Sequence, residues 1–169
     1  PSTMPPKLAR CVVNLARPPA GTLLLDPFCG VGGILLEAVA VGCRAVGADA
    51  DPRMIKGASV NLKHYGAQPF GLIVSDATRM PVRSVQSIVT DPPYGREAST
   101  RGRRLDALLR EFLPSAHSVL SRGGFMCMCC PSDVRLSPIA RESGFKLVES
   151  HMVYVHRSLT RRILVLTKK

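Results

Sequence analysis

Short apolar runs alternate with helical patterns along most of this chain, and the first four runs each end at an aspartate. The apolar runs predict strands over residues 22–26, 44–49, 71–76, 87–91 and 124–130. Apolar residues at helical spacing predict helices over residues 8–15, 34–41, 51–65, 105–120 and 133–142. Strands that alternate with helices in this way favour an α/β fold, with a mostly parallel sheet and helices on both faces.

The last two β-rich segments break this alternation. Residues 146–156 and 161–167 are separated only by residues 157–160, whereas a crossover between parallel neighbours needs about a dozen residues. These two strands are therefore predicted to form an antiparallel hairpin at the edge of the sheet.

The length and composition predict one globular domain. The chain has 169 residues, of which 46% are hydrophobic, and this is enough for one sizeable core. No apolar run approaches the roughly 20 residues needed to span a membrane, so no membrane association is expected. The chain begins at Pro1 without an initiator Met, which leads us to expect that residues 1–169 are the catalytic part of a longer protein.

Charge and cysteine content indicate which kinds of molecule the chain could bind. The net charge of +11, from 23 basic and 12 acidic residues, points to a polyanionic partner, with nucleic acid as the first candidate. The six cysteines lack the paired spacing of a zinc site, and no metal is expected. Buried, reduced thiols in a cytoplasmic protein are the prediction.

Four carboxylates are predicted to meet at one edge of the sheet. Asp26, Asp49, Asp76 and Asp91 each end a predicted strand, and open parallel sheets bind ligands beyond the carboxyl ends of their strands. Any one of them alone could be a helix cap. Together they provide several hydrogen-bond acceptors and suit a ligand that carries a cation and several donors.

The first strand leads into a glycine-rich turn, DPFCGVGG over residues 26–33. The turn lacks the G-x-G-x-x-G spacing of dinucleotide sites, and no P-loop is present in the sequence. An adenosine ligand without phosphate is therefore favoured over a nicotinamide cofactor or a nucleoside triphosphate. Asp49 is predicted to accept hydrogen bonds from ribose hydroxyls and Asp76 from an adenine amine, while Asp51 is predicted to cap a helix.

The fourth strand is followed by Asp91-Pro92-Pro93-Tyr94. An exocyclic base amine is a poor nucleophile, because its lone pair is delocalised into the ring. A carboxylate and a backbone carbonyl held by rigid prolines can accept both amine protons and direct the lone pair toward a methyl donor. Asp91 can also accept the departing proton, and Tyr94 offers a face for stacking the base.

At these residues the chain resembles the THUMP-associated tRNA guanine-N2 methyltransferases, particularly the archaeal and eukaryotic enzymes that act on guanosine at tRNA position 10. The matching stretches are PKLAR at 6–10, DPFCG at 26–30, DPPYGR at 91–96 and HRSLTR at 156–161. The resemblance implies a Rossmann-like class I methyltransferase with a seven-stranded sheet and S-adenosylmethionine as donor. It also implies tRNA as substrate and a THUMP-type RNA-binding region outside this chain.

The resemblance assigns candidate residues to each part of the site. The methionine part of the donor would lie beside Asp26 and Gly30. The full set for the donor is Asp26, Phe28, Gly30, Gly32, Asp49, Ala50, Asp76, Ala77 and Asp91. The catalytic set is Asp91, Pro92, Pro93 and Tyr94. The set for the RNA substrate is Tyr94, Arg96, Arg101, Arg103, Arg104, His156, Arg157 and Arg161.

Several alternatives stay open at this point. DPPY alone would equally serve a DNA or RNA adenine-N6 methyltransferase acting on a flipped base. A non-catalytic, methyltransferase-like RNA-binding module is the other alternative, although Asp49, Asp91 and the glycine turn are intact. The arginine-rich segment after Tyr94 is either a solvated loop or a lid that grips phosphates, and its position favours the lid.

Overall fold

A computed structural model describes residues 4–80, 82–93, 105–156 and 159–168, and these residues form a seven-stranded sheet flanked by helices. The strands are β1 Leu23–Asp26, β2 Arg44–Asp49, β3 Gly71–Val74, β4 Val85–Thr90, β5 Leu120–Pro131, β6 Phe145–His156 and β7 Leu159–Lys168. The helices are α1 Pro6–Leu15, α2 Gly33–Ala40, α3 Pro52–His64, α4 Leu105–Val119 and α5 Leu136–Glu142.

The strand order is β3-β2-β1-β4-β5-β7-β6. Strands β1 to β5 pair in parallel, whereas β7 runs antiparallel to both of its neighbours, β5 and β6. The predicted fold class and the antiparallel edge hairpin are therefore confirmed. The hairpin folds back so that β7 enters the sheet beside β5, and β6 becomes the edge strand.

Local signals in the sequence explain most element boundaries. Asp51 caps α3 by accepting a hydrogen bond from the backbone N–H of Arg53 at 2.9 Å, with Pro52 at the first helical position. Helix α2 ends shortly before Gly42, whose φ of +85° favours glycine. Helix α5 begins at Leu136, later than predicted, because Val134 N–H donates to the Pro131 carbonyl in a turn.

Two apolar cores cover the two faces of the sheet. One core includes buried residues of α4 and α5, and the other includes buried residues of α1, α2 and α3. Strand β5 contributes Met126 and Met128 to the first core and Cys127 and Cys129 to the second, as the alternation of side chains along a strand requires. The predicted helices on both faces are therefore confirmed.

The cysteines follow the prediction with one exception. All six are free, and five are buried, but Cys11 is exposed on α1. The expectation of buried thiols is wrong for Cys11, because it lies on the outward side of α1, whereas Ala9, Val12 and Val13 face the core. Within the described ranges, no helix has the length and apolar character needed to cross a membrane.

Candidate active site

The four aspartates lie at the carboxyl ends of the four strands predicted to carry them. Asp26 and Asp49 are the last residues of β1 and β2, Asp91 directly follows β4, and Asp76 comes two residues after β3. Connections from the central pair β1 and β4 lead outward in opposite directions across the sheet. Such a switch point is where open α/β sheets form a ligand-binding crevice.

Asp26 is the most deeply buried of these carboxylates, with 1% of its surface exposed. It accepts hydrogen bonds from Thr90 Oγ1 at 2.9 Å and from the backbone N–H of Phe28 at 3.2 Å. Burial raises the pKa of Asp26 to about 7; the two hydrogen bonds oppose this increase, and the nearby carboxylates of Asp49 and Asp91 add to it. Asp26 thus links β1 to β4 and orders the start of the glycine turn.

The glycine turn is fastened across the end of β2. The backbone N–H of Gly30 donates to Asp49 Oδ2 at 3.0 Å, and the N–H of Asp51 donates to Oδ1 at 2.9 Å. Gly30 has a φ of +51°, and a Cβ atom built there would meet nothing within 4 Å. The backbone of the turn therefore borders open space beside a half-buried carboxylate.

Gly32 has a different role in the same turn. Its φ is +87°, and a Cβ atom there would lie 3.3 Å from the Cβ of Ala58 on α3. The structure thus uses Gly32 for close packing between the turn and a helix. Phe28 points its ring toward the core, where it meets the ring of Phe112 edge-on at 5.1 Å.

The loop after β3 is ordered by Asp76. Its Oδ1 accepts from both the backbone N–H and the Oγ1 of Thr78, each at 2.9 Å. Ala77 is buried with 4% exposure, and Ala50 is half-buried after β2. The roles of these residues toward a donor, and those of Phe28 and Gly32, stay predictions.

Asp91 forms an ion pair that the sequence did not predict. Arg161 Nη2 lies 3.0 Å from Asp91 Oδ2, and the two side chains are only 8% and 18% exposed, respectively. The sequence assigned Arg161 to the RNA, and that role stays a prediction. What the structure shows is the buried guanidinium against the carboxylate, in a position reached because β7 runs antiparallel to β5.

Other predicted residues are only partly described. Pro92 is buried and Pro93 half-buried after β4, and His156 is the last residue of β6. Tyr94 and five arginines lie outside the described residues: Arg96, Arg101, Arg103, Arg104 and Arg157. Among the residues that are described, no group of three or more His, Cys, Asp or Glu side chains is arranged to hold a metal ion.

Comparisons with known proteins match most of this chain to a family. The family described as UPF0020, RMKL-like methyltransferase domain, matches residues 1–163. A tRNA (guanine(10)-N2)-dimethyltransferase of Methanothermobacter thermautotrophicus is 50% identical over 169 residues, which cover 99% of this chain and 50% of the relative. A second enzyme of that name, from Pyrococcus abyssi, is 37% identical, with coverage of 98% and 50%.

A solved structure agrees with these sequence matches. TrmN from Thermus thermophilus superimposes with a TM-score of 0.84 and 26% identity, over 99% of this chain and 50% of that chain. The present chain thus spans about half the length of each of these three relatives.

Proposed function

The chain belongs to the UPF0020 family of RMKL-like methyltransferase domains, and from that premise we propose that it transfers a methyl group from S-adenosylmethionine to the exocyclic N2 amine of a guanine in tRNA. The observation that carries the proposal is the position of Asp91, directly after β4 at the switch point of the sheet. The names of the most similar curated relatives favour guanine over adenine as the target base.

The residues at this edge fit an S-adenosylmethionine donor. Asp49 and Asp76 would repel a phosphate, and they can accept hydrogen bonds from ribose hydroxyls and an adenine amine, respectively. Asp26 is almost fully buried and would support the glycine turn beside the methionine part of the donor. The open space beside Gly30 allows a ligand to approach the backbone closely. When bound, S-adenosylmethionine supplies a methyl group activated by the adjoining sulfonium.

Asp91 and the two prolines would prepare the target amine. One amine proton is directed to the carboxylate and the other to the carbonyl of Pro92, so that the nitrogen lone pair faces the donor. Asp91 then accepts the proton that leaves the methylated amine. Tyr94 would hold the base by stacking.

We take residues 1–169 to be the catalytic half, with a THUMP-type RNA-binding region in the remaining length, and the cytoplasm as the compartment. The net charge of +11 supports RNA as the partner. Arg157 and the arginine-rich segment after Tyr94 stay candidate phosphate contacts, the latter as a lid.

The deciding experiment is single-turnover methylation of unmodified tRNA by the full-length protein, followed by nucleoside analysis. The wild type should form N2-methylated guanosine. Asp91→Asn should react on the order of 100-fold more slowly, because it loses a charged, preorganised acceptor. Donor affinity of the same variant, measured by calorimetry, separates a loss of methyl transfer from a loss of donor binding, because Asp91 is also in the set assigned to the donor.

A matched control is Asp133→Asn, which makes the same change at an exposed aspartate after β5 and should methylate at the wild-type rate. Methylated adenosine would identify an adenine-N6 enzyme instead, and no methylation at all would indicate a non-catalytic module. Near wild-type turnover by Asp91→Asn would refute the mechanism.

A further inference from the structure

Arg161 is a basic residue in an unusual setting, because arginine is rarely buried in proteins unless it is paired. Only 6% of its surface is exposed, and its Nη2 lies 3.0 Å from Asp91 Oδ2. The neighbouring Arg162 on the same strand is half-buried, and its registered partners are Cys130 and Met152. Two adjacent arginines of β7 therefore occupy different environments.

The sheet carries Arg161 to the catalytic edge and holds its backbone there. Arg161 is in register with Pro131 of β5 on one side and with Val153 of β6 on the other. It shares a strand face with Ile163, which is in register with Cys129. Since β5 lies between β4 and β7, the side chain of Arg161 reaches across β5 to meet Asp91.

Titratable groups of β1 and β5 lie near Asp91 and supply no positive charge to it. Asp26 of β1 repels the Asp91 carboxylate when it is ionised. Burial raises the pKa of the Cys129 and Cys130 thiols of β5, so these groups are neutral. Partial burial of Asp91 adds a desolvation cost to its ionised form. The guanidinium of Arg161 provides a favourable positive charge 3.0 Å from Asp91 Oδ2, as arginine side chains in proteins carry a permanent charge.

We propose that Arg161 is a positioning residue for methyl transfer, which keeps Asp91 ionised and fixes the orientation of its carboxylate toward the target amine. The inference rests on the proposed function of Asp91. An ion pair at this distance favours the charged carboxylate, and holding one of its oxygens restricts rotation of the group. A carboxylate that is both charged and fixed is what alignment of the amine requires.

The test is a double-mutant cycle in the full-length protein, measured as single-turnover methylation of tRNA in saturating donor. Arg161→Met should slow methyl transfer about 10- to 100-fold, as misplacement of a reacting group does. In the Asp91→Asn background the same change should have little further effect, because the group through which Arg161 acts is already altered. Arg162→Met is the matched control and should leave the rate near that of the wild type.

The pH dependence separates positioning from general structural support. In Arg161→Met the acidic limb of the rate profile should move about 1–3 pH units higher, the range expected when a carboxylate loses a nearby cation. Arg161→Lys keeps the charge, so it should restore the position of the limb and recover part of the rate. Donor affinity, measured by calorimetry, should be unchanged in both variants if they fold. If Arg161→Met does not fold, the pH profile of Arg161→Lys tests the positioning role.

The outcomes are distinguishable. Additive losses in the cycle, or an unshifted acidic limb in Arg161→Met, would overturn the positioning role while leaving the proposed function in place. If only Arg161→Lys can be measured, an acidic limb of its pH–rate profile that is displaced from that of the wild type would likewise overturn the positioning role. A wild-type protein that does not methylate guanine in tRNA would overturn the proposed function, and the positioning role with it.

Discussion

The stability of the Asp26→Asn variant, compared with that of the wild type at the same pH, should increase as the pH rises. The carboxyl is 1% exposed, and its pKa rises from 3.8 in the unfolded chain to about 7 in the folded protein, mainly through burial. As the pH rises, the unfolded chain therefore releases this proton first. Ionisation of Asp26 consequently lowers the free energy of unfolding between about pH 4 and pH 7, and no further above that range.

The magnitude follows from the two pKa values. Each unit of difference corresponds to about 1.4 kcal/mol, so the wild type should lose about 2–3 kcal/mol between pH 5 and pH 8 through Asp26 alone. Asparagine has a similar shape and can still accept from Thr90 Oγ1, but it does not titrate. The stability of Asp26→Asn minus that of the wild type should therefore increase by about this amount.

Urea unfolding of both proteins at pH 5 and pH 8 measures this difference, and the contributions of titrating groups that do not interact with Asp26 cancel in the comparison. A matched control is Asp133→Asn, which makes the same change at an exposed carboxylate and gives the baseline with which the Asp26→Asn difference is compared. If the Asp26→Asn difference is the same at pH 5 and pH 8, the carboxyl is not held neutral by burial and the reasoning fails.

Two further changes test the glycine turn and Asp49, which accepts a hydrogen bond from it. Asp49→Ala should weaken donor binding several-fold or more in calorimetry, because hydrogen bonds to a charged group contribute about 1.5–3 kcal/mol; wild-type affinity would remove the ribose assignment. Gly32→Ala should destabilise the chain by at least the roughly 1–2 kcal/mol of left-handed strain, since its Cβ also crowds Ala58. Gly21→Ala has a φ of +75° in open space and should cost only the strain, so equal losses of unfolding free energy would contradict the packing role of Gly32.

The parallel part of the fold was predicted well from the sequence, because local residues mark where its strands and helices begin and end. Strand β2 runs from Arg44 to Asp49 as predicted, and Asp51 with Pro52 marks the start of α3. Strand β5 begins at Leu120, earlier than predicted, since Leu120 is in register with Val85 of β4. That pairing depends on a neighbouring strand, so the residues around Leu120 alone do not indicate where β5 begins.

The candidate site was predictable only in part for the same reason. Four aspartates at or near strand ends identify the edge of the sheet that carries the candidate site, because parallel strands bring their carboxyl ends together. The contact between Arg161 and Asp91 depends on the insertion of β7 beside β5, and spacing along the chain does not encode that order. A run of arginines is usually solvated, so composition could not distinguish buried Arg161 from half-buried Arg162.

The position of β7 also has a consequence for biosynthesis. It is the last strand of the sheet in sequence order, yet it is paired on both sides. A ribosome adding about 5–20 residues per second releases β1 to β6 while β5 and β6 still lack their shared partner and expose backbone that can pair with other chains. We therefore expect the nascent domain to need protection from aggregation until β7 emerges. Pairing of that strand also brings Arg161 to Asp91.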